Sequence, residues 1–551
     1  MIEIRYNPLI HGIPLPSKHY LMDDCLTMKR LPQPVIDLLF SLIAAAILSA
    51  ASAFLQPAPY LSAWLATGIL LWLGFFIGIR VWRGLGSVKS LAVLMAVAFL
   101  LRFGLGIFLH TALPVLGYDN EVQNAGFVFS DAFTRDSQAF KLASSGESLF
   151  TAFSNSLQGD QYGGLLFLSA SIYRFLSPDA SRPLLITILG ALFMALGLAF
   201  LVQCVRERWG RTTALVAGWF YALYPEGVLL GSSQMREPFL IGLFCIGFWA
   251  ASNWRQKTMQ KVVIFTLAIV VAALISVPFG AVIGGVLVLF FIIDWLSIQE
   301  SKRNRVLGWT VFGLILIGLA AGGWLWLKPT MFYDAYLTER ASGQIQFLLE
   351  KLGGAKWLIP FTALSGITQP LLPAAILDKS LPVWMTIMSV RAIGWYFAIP
   401  FIVYSLFAAW PKKQVKKDWV VFLAAIMMAA WVCVSTLRAG GDQWDNPRYR
   451  AILIPWLAWL VGWCWQCIRS GRGAWFFRWL AVEGIFLLGM FTWYLSRFPE
   501  VDLKIPFLSL AAAIVGLAIL IILGGAIFDL VKARKHRKPE NEFLDNNTSL
   551  R

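Results

Sequence analysis

Apolar runs close to the ~20 residues that a helix needs to cross ~30 Å of hydrocarbon recur along this chain from about Val35 to about Leu530. They are spread through its length, so no stretch is left for a soluble domain of ordinary size. Composition agrees: of 551 residues, 58% are hydrophobic and 14% charged, and the mean hydropathy of +0.69 lies outside the soluble range. The expected fold is an all-α polytopic membrane protein with about 14 transmembrane helices. They fall at 33–55, 60–80, 89–110, 183–205, 213–230, 238–252, 262–276, 280–296, 307–327, 384–408, 419–437, 450–468, 479–496 and 506–529. Ser276-Val277-Pro278-Phe279-Gly280 reads either as a break between two short spans or as a kink in one tilted helix.

The formal net charge of +16 would suit nucleic acid, but most Lys and Arg fall in short connections, where the positive-inside rule explains them. No basic groove with interleaved aromatics is visible. Starting inside the cell with Lys29 and Arg30, every second connection is basic. The series runs Arg80, Arg83 and Lys89; Arg206, Arg208 and Arg211; Arg255, Lys257 and Lys261; Lys302, Arg303 and Arg305; Lys412, Lys413, Lys416 and Lys417; Arg469, Arg472 and Arg478; and the tail Lys532, Arg534, Lys535, Arg537 and Lys538. The alternation requires Leu165 to Leu176, about twelve residues with Arg174 inside, to lie on the outer surface as an amphipathic helix. Both termini are then cytoplasmic. The N-terminal segment is polar through Arg30 and lacks the pattern of a cleaved signal, so the first run is expected to be a permanent span. Cys464 and Cys467 form a CxxC inside an apolar helix beside Trp463 and Trp465, with no second pair at zinc spacing, which points to packing.

This order divides the chain into a cytoplasmic N-terminal segment (1–32), two N-terminal helices (33–88), a central region (89–468), C-terminal helices (469–530) and a basic cytoplasmic tail (531–551). Two outer connections of the central region are long, at 111–182 and 328–383. Connections beyond ~15 residues are usually functional or disordered. Patches such as Ile345-Gln346-Phe347-Leu348-Leu349 suit ordered interfacial helices. No internal repeat is found, which speaks against a transporter built from two related halves.

Directly after the third run, Phe129-Ser130-Asp131-Ala132-Phe133-Thr134-Arg135-Asp136-Ser137-Gln138-Ala139-Phe140-Lys141-Leu142-Ala143 puts two carboxylates and an arginine at the outer surface. In a helix Asp136 and Phe140 share a face at i,i+4, so an aromatic anchor would hold the acid. The plainer reading is a pair of solvated, helix-capping aspartates. A second acid follows Tyr224-Pro225-Glu226, in Ser232-Ser233-Gln234-Met235-Arg236-Glu237-Pro238-Phe239. Glu237 precedes a helix-starting proline, where capping alone would account for it. Arg236 beside it, on the outer side where orientation asks for no arginine, points to a polar site instead.

Further outer-side arginines are Arg102 and Arg391 inside spans, Arg340, Arg438, and Arg448 with Arg450 in Asp445-Asn446-Pro447-Arg448-Tyr449-Arg450. An arginine at the centre of a span costs at least ~2.5 kcal/mol and usually faces a partner or a cavity. Several at one leaflet suit an anionic headgroup, because the guanidinium fork matches phosphate oxygens. The alternative is snorkelling, or pairing with acids of the same loops. Acids with phosphate-binding arginines at a membrane surface suit one reaction in particular. A carboxylate deprotonates an acceptor hydroxyl while arginines stabilise the lipid phosphate that leaves a sugar. Neither a GxxxxGK[ST] nor a GxGxxG between strand and helix is present to cradle a nucleotide.

In these residues the chain resembles the GT-C class of membrane glycosyltransferases, particularly bacterial relatives of the dolichyl-phosphate-mannose protein mannosyltransferases and the aminoarabinose transferase. That family carries, in its first large outer loop, an acidic residue followed four residues later by Tyr and then by a small residue. Asp136, Phe140 and Ala143 look like this pattern, with Phe in place of Tyr. Also similar are Gln161-Tyr162-Gly163-Gly164-Leu165-Leu166, without the usual Pro-Pro, then Arg206-Glu207-Arg208-Trp209-Gly210-Arg211, Ala222-Leu223-Tyr224-Pro225-Glu226, Arg236-Glu237, and Arg448-Tyr449-Arg450 followed by Pro455. The likeness runs from about Arg102 to Pro455, and the first two helices look like an addition.

The resemblance implies a GT-C-like fold with outer juxtamembrane helices. It implies transfer of a sugar from a polyprenyl-phosphate donor to a lipid, glycan or protein acceptor outside the cytoplasm, normally with inversion, among membrane lipids and without nucleic acid. Asp136 is the implied catalytic base, with Asp131 as the alternate. Glu237 is the implied second acid, orienting the acceptor or a divalent metal ion if one is used. Arg236, Arg391, Arg448 and Arg450 are the implied phosphate ligands, with Arg102, Arg135, Gln161 and Tyr162 as further substrate-binding residues. Two competing readings are a flippase for lipid-linked saccharides, which would place such groups near the bilayer midplane on broken helices, and a glycan polymerase or ligase, which differs in acceptor.

Overall fold

The computed structural model of the protein describes residues 32–154, 162–340, 346, 349–351, 353–410, 418–440, 442–499, 501 and 504–548. Among these every regular element is a helix, as the apolar runs require. In chain order the α-helices of five residues or more are α1 (Gln33–Ala53), α2 (Tyr60–Gly84), α3 (Lys89–Leu116), α4 (Ser130–Ser144), α5 (Gly164–Leu176), α6 (Leu184–Trp209), α7 (Arg211–Leu223), α8 (Pro225–Gly231), α9 (Glu237–Ser252), α10 (Thr258–Ile275), α11 (Val277–Leu296), α12 (Lys302–Arg340), α13 (Leu358–Thr368), α14 (Leu372–Ile376), α15 (Pro382–Ala408), α16 (Asp418–Ala439), α17 (Asp445–Arg450), α18 (Ile454–Cys467), α19 (Ala474–Leu495) and α20 (Phe507–Thr548). Among the described residues twelve helices are long and apolar enough to cross a membrane.

Two of the expected spans take a different form. The run at 213–230 is broken, with α7 and α8 meeting at 55° at Tyr224-Pro225, where proline has no N–H to close the preceding turn. Arg102 of α3 supports that break: its guanidinium donates to the carbonyls of Tyr221 (3.0 Å) and Ala222 (3.1 Å) that the end of α7 leaves unpaired. Gly231 passes so close that a Cβ there would meet Arg102 Cδ at 2.5 Å. The run at 238–252 becomes α9, whose 16 residues make ~24 Å at 1.5 Å per residue, short of the hydrocarbon thickness. Around 276–280 the chain makes two spans and not one kinked helix. Ser276 is extended, with φ −161° and ψ 111°, and a Cβ on Gly280 would meet the Ala273 backbone at 2.6 Å, a contact that only a reversal of direction permits.

The centre of the bundle is α6 and α18, where Trp456 and Trp459 are fully buried against Phe244, Phe248 and Phe290. The N-terminal pair α1 and α2 is stitched by small and polar residues at every fourth position of α1, namely Asp37, Ser41, Ala45 and Ser49. Asp37 is buried and pairs with Arg83 at 2.6 Å. At the other edge, α20 is tied to α19 by both oxygens of Asp529 on Arg478, at 2.6 and 2.9 Å. The second long connection starts as helix, because α12 runs on for 39 residues through Arg340. As expected, 165–176 forms its own helix, α5, of 13 residues, packed on α4. The connections around α4, α13 and α17, together with Ser232–Arg236, converge at one end of the bundle.

Candidate functional site

Two aspartates five residues apart on one helix stand about 140° apart round its axis, and on α4 that rotation separates two environments. Asp131, in the first turn where the helix dipole favours a carboxylate, keeps 52% of its side chain exposed. Asp136 is 5% exposed and accepts hydrogen bonds from the Tyr173 hydroxyl of α5 and from Ser181 Oγ at 2.8 Å. Burial pushes the Asp136 carboxyl up to about 6, against the opposing pull of these two hydrogen bonds and of Arg135. The expected aromatic anchor is present through an intermediary: Phe140 stands edge-on to the Tyr173 ring at 5.7 Å. Ser181 is brought in by the turn ahead of α6, which Arg182 closes by donating to both oxygens of Asp179 at 2.7 and 2.8 Å. Those hydrogen bonds hold the Asp179 carboxyl well below the usual carboxylate range. Arg135 donates to the Gln234 carbonyl at 2.9 Å, tying α4 to the connection between α8 and α9.

Arg448 is the hub of the exposed side. Its side chain is 5% exposed, yet it meets three carboxylates from three elements. Nε lies 2.9 Å from Glu237 Oε1, Nη2 3.3 Å from Asp131 Oδ2, and Nη1 3.1 Å from Asp445 Oδ1. Glu237, the first residue of α9, is fully buried, with Arg236 Nε 4.0 Å away. Asp131, Asp445 and Arg448 face an open cavity of about 520 Å³, whose walls also include Trp384, Trp444, Asp378 and Asp442. The structure thus gathers Asp131, Arg236 with Glu237, and Arg448 from three separate stretches of sequence.

On the other side of Arg448 lies an aromatic patch. The Arg236 guanidinium stacks over Tyr162 at 5.4 Å and Phe279 at 5.7 Å. Arg438 stacks over Trp326 at 5.1 Å and Tyr449 at 5.9 Å. Phe279 is 5.8 Å from Trp326 and 5.7 Å from Tyr449, so the two arginines share one patch, and Arg448 joins it over Tyr449 at 5.6 Å. Stacking uses the face of a guanidinium, while its N–H donors point along the plane. Sequence reasoning assigned no role to Phe279, Trp326 or Tyr449, since aromatic residues near the ends of apolar runs read as ordinary interface anchors.

The remaining arginines are placed elsewhere. Arg391 grips both oxygens of Glu226 at 2.7 and 3.0 Å, reaches the Trp444 carbonyl at 3.3 Å, and stacks on the Trp444 ring at 4.5 Å. Arg450 donates to the carbonyls of Ile367 and Gln369 and lies 3.7 Å over Trp395. With Arg102 on the end of α7, these three brace the wall behind the cavity. Gln161 lies outside the described residues, whereas its neighbour Tyr162 is the ring under Arg236. Among the described residues no three of His, Cys, Asp and Glu are grouped to hold a metal ion, and Glu237 is already ion-paired with Arg448.

No family model matches the chain, and no curated protein matches it. Among solved structures it is similar to the archaeal oligosaccharyltransferase AglB from Archaeoglobus fulgidus in complex with an inhibitory peptide and a dolichol-phosphate. That match has 12% identity and a TM-score of 0.36, covering 80% of this chain and 55% of that one. It is also similar to the Archaeoglobus fulgidus oligosaccharyltransferase in the apo form, at 13% identity and a TM-score of 0.37, covering 79% and 55%. The form tethered to an acceptor peptide containing the NVT sequon gives 13% and 0.37, covering 79% and 54%. The chain spans about half the length of these proteins, and at these scores the likeness is loose.

Proposed function

We propose that the protein is a membrane glycosyltransferase that moves a sugar from a polyprenyl-phosphate donor to an acceptor hydroxyl at the outer face of the membrane. One observation carries this reading: a half-exposed carboxylate, Asp131, stands on a cavity wall 3.3 Å from the buried guanidinium of Arg448, with Arg236 and Arg438 on the aromatic patch alongside. Asp131 takes the proton of the acceptor hydroxyl as its oxygen bonds to the anomeric carbon. The bond from that carbon to the phosphate oxygen breaks, and the polyprenyl phosphate leaves with the electron pair. Arg448 and Arg438 meet the charge that develops on it, the term that usually dominates such catalysis, while Arg236 holds the donor phosphate. The basic connections, which fall on the opposite side in the alternation of spans read from the sequence, support this sidedness.

The base is Asp131 and not Asp136 on grounds of reach. A general base must come within ~2.6–3.2 Å of the proton it removes, and both oxygens of Asp136 are engaged by Tyr173 and Ser181 behind α5. Glu237 and Asp445 hold Arg448 in place from either side.

The test uses purified protein in lipid, radiolabelled polyprenyl-phosphate sugars and a membrane extract as acceptor. We expect transfer that Asp131→Asn lowers by ~10²- to 10⁴-fold, the usual yield of a general base. Movement of lipid-linked sugar across vesicles without transfer would replace this reading with a flippase. Full transfer by Asp131→Asn alongside an inactive Asp136→Asn would return the base to Asp136.

A further inference from the structure

The cavity carries a ligand chemistry of its own. Its charged lining is four carboxylates, Asp131, Asp378, Asp442 and Asp445, against the single guanidinium of Arg448. The acids are spread over the wall from α4, the chain ahead of α15 and the entry to α17, and no three of them form a metal cage. A carboxylate only accepts hydrogen bonds, so this lining matches a ligand that presents donors in several directions. Phosphates and carboxylates meet like charge here.

The apolar part of the wall is Val128, Phe129, Met388 and two indoles. Trp384 and Trp444 stand edge to face, with centroids 5.4 Å apart. Trp384 is fixed by its N–H on Gln123 Oε1 at 3.1 Å. Trp444 is fixed by the Arg391 guanidinium on its ring and by Phe129 edge-on at 6.0 Å. Trp384 is 6% exposed and Trp444 half-buried, so the indoles meet the cavity with the part that their neighbours leave uncovered. Aromatic carbon beside acceptor oxygens suits a molecule with apolar C–H groups and a rim of hydroxyls. A pyranose is such a molecule. A lipid headgroup phosphate and an extended peptide are not.

We infer that this cavity is the acceptor site and that the acceptor is a glycan, neutral or amine-bearing, rather than an anionic lipid or a peptide. The inference rests on the glycosyl-transfer reading, but its ligand class can be tested without any donor. Protein in nanodiscs is titrated by saturation-transfer NMR with maltotetraose, glucosamine tetramer, glycerol phosphate and a Ser/Thr-rich peptide. The two sugars are expected to bind, and glycerol phosphate and the peptide are not. Asp378→Asn, on the exposed rim, is expected to weaken the amine-bearing tetramer by roughly 2- to 5-fold, the range of an exposed ion pair, and to leave maltotetraose nearly unchanged. Trp384→Leu is expected to weaken both sugars together.

Binding of glycerol phosphate or peptide in place of the sugars overturns the inference, as does sugar binding indifferent to both variants. The two readings fail separately. Sugar binding without turnover of any donor removes glycosyl transfer and keeps the ligand class. Turnover onto an anionic lipid with no sugar binding removes the ligand class and keeps glycosyl transfer.

Discussion

Two groups of arginines lie at the same end of this bundle, and they end on different partners. Behind the cavity, at the break between α7 and α8, Arg102 and Arg450 run into main-chain carbonyls and Arg391 into Glu226, itself 3% exposed. On the cavity wall, Arg448 is as deeply buried as Arg391, yet two of its three carboxylates, Asp131 and Asp445, keep 52% and 48% of their side chains exposed. Burial of the guanidinium alone therefore does not mark a site. What separates the regions is the exposure of the partner. A pair with both members buried holds the fold, whereas a buried cation with an exposed anion presents oriented charge to whatever enters.

The largest effect that sharpens this contrast is catalytic. Asp131→Asn should abolish transfer by the ~10²- to 10⁴-fold given above and leave the thermal midpoint in detergent where it was, because the carboxylate it alters is half in solvent. Next in size is the opposite pattern at the break. Glu226→Ala leaves the Arg391 charge buried without its carboxylate, which typically costs ~3–5 kcal/mol, so the folded fraction should fall in a denaturant titration. Combining Glu226→Leu with Arg391→Met should recover much of that loss, since an apolar pair of similar volume is often as stable as a buried ion pair. If Glu226→Ala kept wild-type stability and lost only transfer, the break would belong to the site and the comparison would collapse.

The architecture was legible because its signal is one-dimensional. Twenty apolar residues make a span whatever they pack against, and twelve of the fourteen expected runs lie on helices long and apolar enough to cross. The break at Tyr224-Pro225 lies in a run read as one span although Pro225 and Glu226 interrupt it, and Arg102, from a helix more than a hundred positions earlier, supplies donors to the carbonyls that the break leaves in the interior. The site was legible as residue types and not as partners. Asp131, Glu237, Arg236 and Arg448 were all marked by their place at span ends, and so were Arg391 and Arg450. Which arginine faces a carbonyl and which a cavity depends on contacts such as Arg448 to Glu237, more than two hundred residues apart in sequence. The aspartates show the same limit in miniature. The spacing of five gave their angular separation, but Tyr173 and Ser181, which close over Asp136, come from elements that only packing brings near.

The framework role of Asp136 has a pH signature that sets it apart from Asp131. Its carboxyl is pushed up to about 6 in the fold, against ~3.9 for a free aspartate. Below about pH 4 it is protonated in both folded and unfolded chains, and between about 4 and 6 only the folded chain holds the proton. The contribution of this group to stability is thus greatest in acid and is lost as pH rises through 6. Asp136→Asn, neutral at every pH, should gain stability relative to the wild type by on the order of 2 kcal/mol between pH 4 and pH 7. A constant difference across that range would mean that the carboxylate is ionised in place, and Asp136 would regain its claim as the base.

The smallest effect concerns the aromatic patch. Arg236 lies over Tyr162 and Phe279, an arrangement worth ~0.5–2 kcal/mol that lysine reproduces poorly, since an ammonium has neither the plane to stack nor the fork to grip a phosphate in two places. Arg236→Lys keeps the charge, so a site that needed only a positive potential would be indifferent to it. The expected result is a rise in donor KM of roughly 2- to 30-fold, following from that energy, with kcat changed less. An equal fall in kcat at constant KM would place the contact in the transition state alone and move Arg236 from holding the donor to stabilising the departing phosphate. Either shift separates it from Arg391, whose replacement should register first as lost protein and only then as lost activity.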